Sequence, residues 1–191
     1  MAIGFENDIK ACTEVLNAGG LILYPTDTIW GIGCDATNES AVAKIYNLKQ
    51  RSDEKSMVIL VADESTITQY VKQPGLKIFD YIKGIHKPTT VIYDGAVGLA
   101  NNVIAKDGSA AIRIVKDDFC RQLIRHFNKP IVSTSANISG YPPPAVFMDI
   151  DRSIKSGVDY IVQHRQDDLT PSSPSAIIKW KDDGSLTIIR S

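Results

Sequence analysis

The chain has 191 residues, 43% hydrophobic and 23% charged, with a formal net charge of −1. That is the make-up of an ordinary globular domain, long enough to bury a core without metal or disulfide staples. The charge excludes an overwhelmingly basic nucleic-acid binder, though not a local basic patch.

In chain order, apolar periodicity predicts a helix near 6–18, with Ile9, Cys12, Val15 and Leu16 on one face and Gly19-Gly20 ending it. Leu21–Tyr24 reads as a buried strand stopped by Pro25, and Thr26–Gly33 as a polar, glycine-rich connection. A helix capped by Thr37 or Asn38 buries Val42, Ile45, Tyr46 and Leu48, then runs into the basic stretch 49–55. A strand at 57–61, helices near 64–72 and 75–84, and strands at 89–93 and 110–115 follow. Asp117 opens a helix that buries Phe119, Leu123 and Phe127. Pro130 suits the first residue of the next strand, whose Ile131 and Val132 are short and β-branched. Last come a helix near 147–156, a short strand at 159–163, and a hairpin pairing Ala176–Trp180 with Leu186–Arg190 across a turn at Asp183-Gly184. The alternation predicts one α/β domain over 1–191, built on a mixed, partly parallel open sheet.

Ser133, Thr134, Ser135 and Asn137 fall within five positions just beyond the strand of Ile131 and Val132. Open α/β sheets bind ligands beyond the carboxyl ends of their strands. Small hydroxyls there bond phosphate, carboxylate or ribose oxygens, although the same residues also suit a turn that caps its own backbone. Lys49, Arg51 and Lys55 either compensate a helix dipole on a solvated loop or form a triphosphate clamp. Arg113 breaks an apolar strand on the face of Ala111 and Val115. It faces water there or, if that face is a cavity, forms a bidentate pair with a ligand carboxylate. Gly31-x-Gly33-x-x-Ala36 formally fits a dinucleotide fingerprint, but the next helix starts only after it, so the fit is discounted. His86, His126 and His164 lie far apart, and the sequence offers neither a Ser-His-Asp arrangement nor a metal-ligand cluster. Binding and orienting substrates is therefore the expected mode, rather than covalent catalysis.

Cys12, Cys34 and Cys120 are odd in number and widely spaced, and they read as reduced, buried thiols in a cytoplasmic protein. No apolar run approaches the ~20 residues of a membrane span, and the first residues lack a signal-peptide pattern. No membrane association is expected.

Three stretches carry a family resemblance: Tyr24-Pro25-Thr26-Asp27-Thr28-Ile29-Trp30-Gly31-Ile32-Gly33, then Lys49-x-Arg51, then Ser133-Thr134-Ser135-Ala136-Asn137-Ile138-Ser139-Gly140. In this order the chain resembles, over essentially its whole length, the YrdC-like family, whose members are L-threonylcarbamoyladenylate synthases. The resemblance implies a twisted α/β sheet with helices around a large basic cavity. It also implies a reaction in which L-threonine, bicarbonate and ATP, with Mg²⁺, give threonylcarbamoyl-AMP and pyrophosphate for modification of tRNA adenosine 37. The implied partners are tRNA-modification proteins that take this product and, for some members, double-stranded RNA or tRNA. The alternative is a double-stranded RNA- or nucleotide-binding member without synthase activity.

By the same resemblance, Lys49 and Arg51 would be catalytic and would hold the ATP phosphates with Lys55 and Ser109. Ser135, Asn137 and Arg190 would also bind ATP, with Mg²⁺ near Ser135 and Asn137. Thr28, Arg113, Ser133 and Ser175 would bind threonine, and no protein residue is assigned to a metal. The chain departs from the family pattern at His86-Lys87-Pro88-Thr89-Thr90, at Ser56-Met57, and at Pro143, where some members place a nucleotide-contacting serine.

Overall fold

The computed structural model describes residues 4–50, 57–180 and 185–191. The chain opens with helix α1 (Glu6–Asn17), which buries Ile9, Cys12 and Leu16 and ends where Gly19 takes a φ of +71°. Strands β1 (Ile22–Tyr24) and β2 (Gly31–Gly33) pair antiparallel across the turn between them. Helix α2 (Glu39–Lys49) starts at Asn38, whose side chain accepts the Ala41 N–H at 3.1 Å, so Asn38 rather than Thr37 is the cap. Then come β3 (Val58–Val61), α3 (Glu64–Tyr70), α4 (Leu76–Lys83), β4 (Thr89–Tyr93) and β5 (Ala110–Ile114). Helix α5 (Asp118–Phe127) starts at Asp117, which accepts the Cys120 N–H at 3.0 Å. The chain closes with β6 (Ile131–Ser135), α6 (Arg152–Ser156), β7 (Tyr160–Ile161), β8 (Ala176–Trp180) and β9 (Leu186–Arg190).

Among the described residues nine strands form one sheet in the order β7-β1-β2-β6-β3-β5-β4-β8-β9. The pairs β1–β7, β3–β5 and β4–β8 are parallel and the others antiparallel, so the sheet is mixed as the alternation predicts. One set of alternating side chains, including Ile59, Val91, Ile112 and Val132, is buried at the centre of the sheet. Helices α1 and α5 lie against each other, and Phe5 meets Phe119 edge-on with ring centroids 5.5 Å apart. Each such apolar side chain, fully buried, contributes about 1.5–3 kcal/mol. Asp8 fixes α1 to β7 and the chain just after it: its carboxylate accepts the Tyr160 hydroxyl (2.7 Å) and the N–H groups of Gln163 (3.0 Å) and His164 (2.9 Å). Among the described residues no helix is long and apolar enough to cross a membrane.

Three expectations need correction. The glycine-rich connection contains a strand, β2, because a Cβ at Gly33 would stand 2.6 Å from the Tyr24 ring and 2.9 Å from the Val132 carbonyl oxygen. Only glycine lets these backbones meet so closely, and the fingerprint glycines therefore serve strand packing. Strand β6 continues through Ser133, Thr134 and Ser135, so the hydroxyls lie within the ladder rather than beyond it. The helix expected near 147–156 is a 3₁₀ turn at Phe147–Asp149 followed by α6, with Asp151 capping the second piece by accepting the Ser153 N–H. The expected turn at Asp183-Gly184 lies outside the described residues.

Candidate functional site

Strand β6 joins the two halves of the sheet, pairing with β2 on one side and β3 on the other. On one face the register sets Ser133 beside Val58, Ser135 beside Gly31, and Arg113 beside Leu60. The same face continues through Thr90 and Ile177 to Arg190. It opens into a cavity of about 500 Å³, bounded by Thr28 from the β1–β2 turn and by Tyr141, Pro143 and Pro174 from loops. That volume suits a small-molecule substrate.

Arg113 is only 4% exposed, so it faces the cavity wall rather than bulk water. Its Nη2 lies 3.0 Å from Asp27 Oδ1 and donates to Thr28 Oγ1 at 3.2 Å. Thr26 Oγ1 donates to the Ile29 carbonyl, which leaves Thr28 to donate to Thr26 (2.9 Å) and to accept from Arg113. Arg113 Nε is buried and has no acceptor among the described residues. Asp27 Oδ2 accepts the Lys116 N–H at 3.3 Å, which anchors the counter-charge to the end of β5.

Across the cavity, Arg190 Nε donates to the Ser175 carbonyl at 3.0 Å, and Nη2 donates to Ser175 Oγ at 3.4 Å. Ser175 Oγ shares a 2.8 Å hydrogen bond with Thr90 Oγ1. Partial burial, and then the positive field of Arg113, hold the Arg190 guanidinium below its ordinary pKa. Two cations that repel one another across a hydroxyl-lined space form a receptor for an anion.

The expected residues fall into separate groups in the structure. Thr28, Arg113, Ser133, Ser135, Asn137, Ser175 and Arg190 all line this one cavity. Lys49 does not: its ammonium lies beneath the loop, bonded to the carbonyls of Ser135 and Asn137. Ser109 precedes β5 on the parity of Arg113, but its hydroxyl donates to Asp107 at 2.6 Å and it is not part of the lining. Arg51 and Lys55 lie outside the described residues. The described lining holds two guanidiniums among hydroxyl and apolar groups, so it is polar rather than broadly basic. Sequence reasoning gave no role to Asp27 or Thr90. The first stands inside a quoted motif, and the second is one of two adjacent threonines that open the strand at 89–93, with nothing local to set it apart from Thr89.

A mixed α/β sheet with convergent arginines and strand-borne hydroxyls on one face defines a site whose chemistry suits a small anion. The chain belongs to the Sua5/YciO/YrdC family: residues 14–191 match the family profile, described as Telomere recombination. A relative from Methanocaldococcus jannaschii is 37% identical over 177 residues, covering 92% of this chain and 81% of its own. The threonylcarbamoyl-AMP synthase of Idiomarina loihiensis is 32% identical over 146 residues, covering 75% of this chain and 78% of its own. The crystal structure of P. abyssi Sua5 complexed with L-threonine superposes with a TM-score of 0.85 at 21% identity and shares the fold. It matches 97% of this chain, which spans 54% of that longer one.

Proposed function

We propose that the protein is a threonylcarbamoyl-AMP synthase, joining L-threonine, bicarbonate and ATP into threonylcarbamoyl-AMP and pyrophosphate. The observation that carries this reading is the convergence of Arg113 and Arg190 on a cavity walled by Thr28, Ser133, Ser135 and Ser175. Family membership and the names of the relatives supply the reaction.

Arg113 takes the threonine carboxylate, with Thr28, Ser133 and Ser175 around the rest of the amino acid. The amine condenses with bicarbonate, losing water, to give a carbamate. A carbamate oxygen then attacks the α-phosphorus in line as the bond to pyrophosphate breaks. Arg190, with Arg51 and Lys55, neutralises the phosphates and the charge developing on the leaving group. Ser135 and Asn137 border the nucleotide. No carboxylate stands in the described lining, so Mg²⁺ enters on the ATP phosphates as part of the substrate. The product passes to the proteins that modify tRNA.

Pyrophosphate release is the test, measured with and without threonine and bicarbonate. A synthase requires both. Arg113→Lys keeps the charge but loses the fork, removing charge-assisted bonds worth about 1.5–3 kcal/mol, so threonine kcat/KM falls by about 10- to 100-fold while the fold survives. Threonine-independent release, or none from folded protein, overturns the reading in favour of a nucleotide- or RNA-binding protein without turnover.

A further inference from the structure

Lys49 is the last residue of α2 and is 1% exposed. An ammonium has three N–H bonds to give. Among the described residues its acceptors include the carbonyl of Ser135, the carbonyl of Asn137 at 2.6 Å, and Asn137 Oδ1 at 3.4 Å. The main chain closes the same clasp from the other side, since the Lys49 carbonyl accepts the Ser139 N–H at 2.9 Å. Asn137 is committed as well: its Nδ2 donates to the carbonyls of Ile138 (3.0 Å) and Tyr141 (2.6 Å). Ser135, Asn137 and Tyr141, the residues shaped by this network, line the cavity.

We propose that Lys49 is a positioning residue. Its ammonium holds the 135–139 loop in the shape that receives the ligand, and it makes no contact with phosphate. Swinging to a phosphate would strip two backbone carbonyls of their buried donor, whereas an ammonium ringed by carbonyl dipoles is already solvated where it stands. The identity of the ligand as an adenine nucleotide rests on the synthase reading; the clasp itself does not.

The first experiment uses the unmodified protein and an amine-acetylating reagent, with peptide mass spectrometry. Labelling of Lys49 is expected to be at least about 100-fold slower than that of exposed Lys10 and Lys87, because reaction waits on local opening, with or without MgATP. Ready labelling in the free protein that MgATP suppresses overturns the proposal.

The second experiment uses Lys49→Met, which keeps the stem and removes the ammonium. In the folded variant, well below its melting temperature, the affinities for AMP, ADP and ATP are expected to fall by a common factor of about tenfold. Exchange of the Ser139 amide is expected to quicken without any ligand. A loss that grows from AMP to ATP identifies a phosphate ligand, and unchanged affinities identify a purely structural lysine; either result overturns the proposal. If Lys49→Met does not fold, the labelling result on the unmodified protein decides. If the unmodified protein binds no adenine nucleotide, the functional reading fails, while labelling of free Lys49 still judges the clasp.

Discussion

Arg113 lines the cavity wall with Asp27 as its counter-charge 3.0 Å away, their side chains 4% and 6% exposed. Removing one member of such a pair strands the other charge in a poorly solvated place, at a cost of about 3 kcal/mol or more. The pair also has geometric consequences: Asp27 and Thr28 both lie against Nη2, while Nε has no acceptor among the described residues. Asp27→Asn keeps the shape and an acceptor for the Lys116 N–H but releases the guanidinium. The expected outcome is a drop in stability of about 3 kcal/mol by urea titration. Threonine KM is expected to rise with ATP KM unmoved, because only the carboxylate end of the site loses its aim. Equal threonine KM values would mean that Thr28 alone orients Arg113. From sequence, Arg113 was visible as a charge interrupting an apolar strand, but whether that face met water or a cavity was not. That depended on residues about 85 positions away, whose approach no local pattern encodes.

At the level of elements, the contrast between α5 and β2 explains what could be read. Helix α5 announces itself by a cap, Asp117, and by the spacing of Phe119, Leu123 and Phe127, all local signals. Strand β2 has three residues, two of them glycine, a composition that counts against a strand. Its cause is tertiary, since Gly33 must pass the Tyr24 ring and Gly31 must pass Ser133 Oγ, 3.0 Å from where a Cβ would be. Gly33→Ala should therefore destabilise the fold by about 1–3 kcal/mol through overpacking against groups that have no room to withdraw. A lowered urea midpoint with an unchanged slope is the expected signature. An unchanged midpoint would show that Tyr24 and the Val132 carbonyl can yield. The same reasoning explains why β6 looked shorter than it is. Its hydroxyls have the composition of a strand end, but their ladder partners, Gly31 and Val58, hold them in the strand.

For the whole molecule, the alternation of strands and helices conveyed a mixed sheet, but the order of its strands was beyond sequence reading. Strand β1 takes β7 as its parallel neighbour and β4 takes β8, pairings that join distant parts of the chain. Such a sheet predicts one cooperative unit, and the three thiols can test it. Cys12 lies in α1, Cys34 just after β2 and Cys120 in α5, and all three are free and buried. Burial pushes each thiol well above its ordinary pKa, reinforced by the charge of Asp8 at Cys12, Asp35 at Cys34 and Asp117 at Cys120. The thiolate is the reactive form, so none should react with an aromatic disulfide reagent in the native state. Raising the pH from about 7 to about 9 should change nothing, although it would convert most of an ordinary thiol of pKa about 8.5 to thiolate. In urea all three should appear together, at the midpoint where helical circular dichroism is lost. Early labelling of Cys12 or Cys120 alone would mean that the α1–α5 layer opens ahead of the sheet, and the chain would then comprise two cooperative units rather than one.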